Sequence, residues 1–123
     1  MATLNDRVFD NGLTILDTEA NKIVITSQEA TTYTEANATY ALGNSTSLSI
    51  AAPTNRGAGG REVVVAAITD GSVTATGTAT HYAIIDTANS RLLATSTLTA
   101  GQAVTSGNTF TLSSVSIGIP DPA

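Results

Sequence analysis

Apolar residues in this chain alternate with threonine and serine more often than they recur at helical spacing, and such alternation predicts short β-strands. Over residues 12–18, Leu13 and Ile15 fall on one face and Thr14 and Leu16 on the other, which predicts a strand after a turn at Asn11-Gly12. The β-branched run Ile23-Val24-Ile25-Thr26 follows the short polar segment Glu19-Ala20-Asn21, so the two runs read as a hairpin. Residues 31–43 break the alternation. Thr32 and Glu35 have capping-box spacing, Tyr33, Ala36, Asn37 and Tyr40 recur at threes and fours, and Gly43 stands where a helix would end. One short helix is expected there; weak helix formers leave an irregular excursion as the competing reading.

Further along, residues 47–51 suit a short strand, and 53–60, Pro-Thr-Asn-Arg-Gly-Ala-Gly-Gly, a flexible loop. Residues 62–69 contain Val63-Val64-Val65-Ala66-Ala67-Ile68, apolar on both faces, as in a strand buried on both sides, and Asp70-Gly71 suits a hairpin turn. Residues 72–76 and 78–86 read as one long strand bent at Gly77, 87–90 as a loop, 91–98 as a strand and 99–108 as a Gly-, Ser- and Thr-rich connection. In 109–119, Phe110 and Leu112 are out of phase with Val115, Ile117 and Ile119, which calls for a β-bulge near Ser113-Ser114. The expected fold is mainly β: a single antiparallel β-sandwich of jelly-roll type over 1–123, with one short helix and an extended N-terminal arm over 1–10.

Composition narrows the function. Threonine, alanine and serine dominate, lysine occurs once as Lys22, and charged residues make up 12% of the chain. A net charge of −5 with five scattered cations offers no basic stripe for phosphates, so nucleic acid is not an expected partner. With no cysteine, neither a disulfide framework nor a thiolate metal site can form. Residues 1–10 lack the apolar core of a signal peptide, and no apolar run approaches the roughly 20 residues that span a bilayer, so a soluble product of the cytosol is expected.

Candidate chemistry is sparse. His81 is the one histidine, and no Ser, Asp or Glu matches it at a recognised catalytic spacing; a hydrogen bond to backbone or a hydroxyl is the simpler expectation. Asp6, Asp10, Asp17 and Glu19 form a loose acidic group, but glycosidase-like pairing would want aromatic sugar platforms, and the aromatics are only Phe9, Tyr33, Tyr40, Tyr82 and Phe110. Gly57-Ala58-Gly59-Gly60 lacks the Lys-Ser/Thr of a phosphate loop. No catalytic, cofactor-binding or metal-ligating residue is assigned, and a non-enzymatic protein is expected.

Leu4-Asn5-Asp6-Arg7-Val8-Phe9-Asp10-Asn11-Gly12-Leu13, Gly77-Thr78-Ala79-Thr80-His81-Tyr82-Ala83-Ile84-Ile85-Asp86 and Val104-Thr105-Ser106-Gly107-Asn108-Thr109-Phe110 resemble a family of small virion proteins of tailed bacteriophages and prophages. The resemblance implies a head component, foremost a decoration or cement subunit on the capsid surface. Its partner would be the major capsid protein, its form a homotrimer, and its candidate inter-subunit contacts Leu4, Val8 and Phe9 of the arm with Arg56 and Arg61 of the loop. A tail or head-fibre component that touches the host surface is the second reading, and a carbohydrate-binding module the third.

Overall fold

The computed structural model describes residues 6–120, with side chains from residue 11 onward. It is mainly β, with one α-helix and one π-helical turn. The elements are α1 (Asp6–Glu19), β1 (Lys22–Thr26), the π-turn (Glu35–Thr39), β2 (Ala41–Ser45), β3 (Thr54–Asn55), β4 (Arg61–Val65), β5 (Ile68–Val73), β6 (Gly77–Asp86), β7 (Arg91–Val104), β8 (Thr109–Leu112) and β9 (Val115–Ile119). The chain divides into two compact units. One combines Met1–Glu19, Ser49–Ala67 and Ser113–Ala123; the other combines Ala20–Leu48 and Ile68–Leu112.

The larger unit is a six-stranded antiparallel sheet in the order β7-β6-β1-β2-β5-β8. β1 lies between β6 and β2, so its side chains are buried on both faces from Ile23 to Thr26. Register places Ile23 opposite Ile84 and Ile25 opposite Tyr82, so these four share one face. Gly43 and Val73 continue that face, and Gly71 pairs with Phe110. The glycines are there for the Phe110 ring: a Cβ on Gly71 would overlap it, and one on Gly43 would come within 2.6 Å of the Ser72 carbonyl oxygen. The sheet is curled. Its two edge strands, β7 and β8, are successive in the chain, and the Gln102 side chain donates to the Thr111 carbonyl across the gap (3.4 Å).

On the other face, Val24, Ala83 and Ile85 pack with Ala30 and with Ala36 of the π-turn, bordered by Tyr33, Tyr40, Ala41 and Leu92. The expected capping pair starts this turn. Glu35 N–H donates to Thr32 Oγ1 (3.1 Å), while the Glu35 carboxylate accepts from the Thr31 N–H (2.9 Å) and hydroxyl (2.7 Å). The Tyr40 N–H then reaches back five residues to the Glu35 carbonyl, and the chain enters β2 at Ala41. The helical segment is therefore shorter than the 31–43 expected, because Leu42 and Gly43 are needed as sheet residues beside β1.

The smaller unit carries α1 and a three-stranded antiparallel sheet, β3-β4-β9. Here the sequence reading is corrected. Residues 12–18 are not a strand and 6–10 are not an extended arm; both belong to α1. Phe9, Leu13 and Leu16 stand at i, i+4 and i+7, and the buried Leu13 and Leu16 outweigh the local alternation around Ile15. Gly12 sits inside the helix rather than in a turn. The remaining arm residues, Leu4 among them, lie outside the described residues.

Other boundaries differ as well, two of them because the chain changes sheet where one continuous strand was expected. The apolar run 62–69 splits at Ala66-Ala67 into β4 and β5, which belong to different sheets. Asp70-Gly71 then falls within β5 rather than in a hairpin turn. Residues 72–86 are not one bent strand, since β5 pairs with β2 and β8 while β6 pairs with β1 and β7. The phase change at Ser113-Ser114 is real, but β8 and β9 lie in separate sheets, so it marks a crossing and not a bulge. β7 also runs to Val104, beyond the expected Leu98, by looping residues 98–101 out of register between Thr97 and Gln102.

Candidate functional site: exposed apolar groups and the ends of the smaller sheet

The polar groups singled out in the sequence are held by local structure. Arg56 Nη1 donates to the Gly59 carbonyl (3.0 Å), and its backbone N–H donates to Gly60 O (3.0 Å). Arg61 Nη1 reaches Asn55 Oδ1 (2.8 Å) and its Nη2 the Pro53 carbonyl (3.1 Å). The Arg56 guanidinium thus braces the 53–60 loop internally, and that of Arg61 ties it to β4. Gly60 closes that loop at φ +92°, and a Cβ there would strike the Ile119 carbonyl oxygen. Val8 and Phe9 lie within α1.

His81 meets Thr80. The Thr80 hydroxyl donates its one proton to the Ser27 carbonyl (2.9 Å), so the 2.9 Å contact between Thr80 Oγ1 and His81 Nδ1 requires the imidazole to carry its proton at Nδ1. Asp86 caps the turn that follows it. Its carboxylate accepts from Asn89 Nδ2 (2.7 Å) and from the Ala88 and Asn89 N–H groups (3.0 and 3.4 Å). The Asn89 side chain, then those N–H groups and nearby Arg91, hold its pKa below the ordinary aspartate value against the opposing effect of burial. Glu35 is likewise lowered, chiefly by the Thr31 hydroxyl and N–H, and the Tyr40 phenol is raised by its hydrogen bond to Glu35. Burial pushes the Tyr82 phenol up as well. Asp17 is exposed on α1, and no cluster of three metal-ligating side chains occurs among the described residues.

The apolar surface is distributed unevenly. Three large apolar residues are exposed among those described, Ile15 (44%), Val64 (36%) and Ile119 (36%), and all three belong to the smaller unit. A Cβ on Gly12 would stand 3.7 Å from Ile119 Cδ1, and Ile15 follows three residues later on α1. Ile15 and Ile119 therefore mark one border, where the helix meets the last strand. Sequence reading missed these positions because it placed Ile15 in a strand and treated 109–119 as one element.

Comparison with protein-family models, with curated proteins and with solved structures returns no match.

Proposed function

We propose that this chain is a structural component of a tailed-phage virion, a decoration subunit that binds the major capsid lattice from outside and stabilises it. Two things support the reading. The first is the likeness of its opening, middle and closing segments to small phage virion proteins. The second, which carries the structural side of the argument, is the contrast just described: Arg56, Arg61, Glu35 and Asp86 are engaged in local hydrogen bonds, while large apolar side chains stand exposed on one unit. Such a molecule offers surfaces for another protein to cover. A jelly-roll-type packing of its sheets and self-association on the particle belong to the same proposal.

Mixing the purified chain with capsids that lack it, followed by co-sedimentation and electron microscopy, tests this. Saturable density at regular positions on the head, with heads more resistant to heat, is the expected result. Absence of binding would overturn the proposal, and label confined to the tail would replace it with the fibre reading.

A further inference from the structure

The smaller sheet has two edges, and they are treated differently. At one end β3 is two residues long, follows Pro53, and is tied down by the Arg61 guanidinium on Asn55 and Pro53. Short strands, proline and covering side chains are the usual ways of keeping an edge from pairing. At the other end β9 is longer; Pro120 follows it and the Arg56 side chain lies against Gly118 on one face, but among the described residues nothing pairs with its outer edge. Val115–Ile119 pairs with β4 at five consecutive positions without a register shift, contains no charge, and among the described residues pairs with no other strand.

The five residues Val115-Ser116-Ile117-Gly118-Ile119 have a pattern that reads nearly the same in both directions. An antiparallel copy of the strand, centred on Ile117, sets Val115 against Ile119, Ile117 against itself and Ser116 against Gly118. Register with β4 puts Val115, Ile117 and Ile119 on the face that holds the buried Val63 and Val65, so the apolar side chains of both copies would lie on one side. The exposed Ile119 and, beside it, Ile15 lie on the helix-bearing side of this strand. Pro120 has no N–H to extend the ladder, and the chain leaves for the other sheet at Ser113-Ser114, so the register is bounded at both ends. Charge, taken at this strand alone, permits the same partner. A chain of net charge −5 repels its own copies, and a strip without acids is where two can meet.

We infer that β9 is a homodimerisation edge, on which a second copy of this chain adds its own β9 antiparallel about a twofold axis at Ile117, joining two three-stranded sheets into one of six strands. This contact is isologous and closes after two copies, so it stands in place of the homotrimer expected from the resemblance. A five-residue ladder is a small contact, and the dimer forms reversibly with concentration. The inference concerns the isolated chain and is independent of the capsid reading, whose experiment uses heads.

Light scattering across a concentration series is expected to show the mass rising from 12.4 kDa towards twice that value. Ile117→Lys places two like charges face to face and should weaken association at least about tenfold with an unchanged circular dichroism spectrum. Should that variant lose its fold, Ile119→Lys, at an exposed position, gives the same reading. Because the chain has no cysteine, single-cysteine variants add a positional test. Ile117→Cys should cross-link to itself on oxidation, since directly opposed residues of an antiparallel pair are within disulfide reach, whereas Val64→Cys, one strand further in, should not. A wild-type chain that stays monomeric at all concentrations, a trimer, a dimer that survives a folded lysine variant, or equal cross-linking at 64 and 117 would overturn the inference.

Discussion

Thr26 ends the most deeply enclosed strand of the molecule, and among the described residues its Oγ1 has no hydrogen-bond partner. A buried hydroxyl without a partner has lost water and gained nothing for it. Replacing it with the near-isosteric valine removes that loss while keeping the β-branched shape. Thr26→Val is therefore expected to stabilise the protein by about 1 kcal/mol, seen as a higher denaturant midpoint at unchanged slope. A lower midpoint would mean the hydroxyl has a partner after all.

Asp86 is the opposite case, a buried carboxylate with three donors aimed at it. Its pKa is lower folded than unfolded, so its contribution is full above the ordinary aspartate value and is lost as pH falls through the depressed folded value. Asp86→Ala should lower the melting temperature at neutral pH, and the gap to wild type should narrow on acidification through that window. A gap independent of pH would assign the effect to packing alone.

At the scale of elements, α1 gives the cleanest test of how helix propensity and packing combine. Gly12 lies within the helix, where glycine is worth about 1 kcal/mol less than alanine, and a Cβ there would sit at ordinary contact distance, 3.7 Å, from Ile119 Cδ1. Gly12→Ala should accordingly raise stability by about 1 kcal/mol and increase helical signal in circular dichroism; a loss would show that β9 does not accommodate the added methyl group. This element was also the one most misread from sequence. Its apolar residues satisfy both a period of two at Leu13 and Ile15 and a helical period at Phe9, Leu13 and Leu16, and only tertiary burial chooses between them. Strands with one unambiguous pattern were legible: β1, the turn at 87–90 and the start of β7 stand where alternation put them. The capping pair Thr32 and Glu35 was legible too, since it depends on neighbours alone. Sheet membership was not. Nothing in Val63 through Ile68 says that the first half pairs with β9 and the second with β2 and β8, because strand partners are set by contacts far away in sequence. The edge position of β9 among the described residues was hidden for the same reason: its near-palindrome is plain in the sequence, but whether the strand is central or terminal is a property of the sheet.

For the molecule as a whole, the two units differ in how they are assembled, and this predicts where it opens first. The larger unit holds its centre in β1 and β6, paired with each other at five positions and enclosing Ile23, Ile25, Ala83, Ile84 and Ile85. The smaller unit draws on three stretches separated by long insertions, so forming it closes large loops for a core that includes Leu13, Leu16, Val63 and Val65. Stability should follow that inequality. In native-state hydrogen exchange, amides of β1 and β6 are expected to exchange only through global unfolding, whereas those of β4 and α1 exchange through a smaller opening with a shallower denaturant dependence. Exchange of all four elements with one free energy would instead mean that the units unfold as a single cooperative body. The same experiment at two chain concentrations separates fold from association: amides on the outer side of β9 should gain protection through local shielding as the chain is concentrated, while those of β1 and β6, buried within one copy, should gain only the amount by which dimerisation raises global stability.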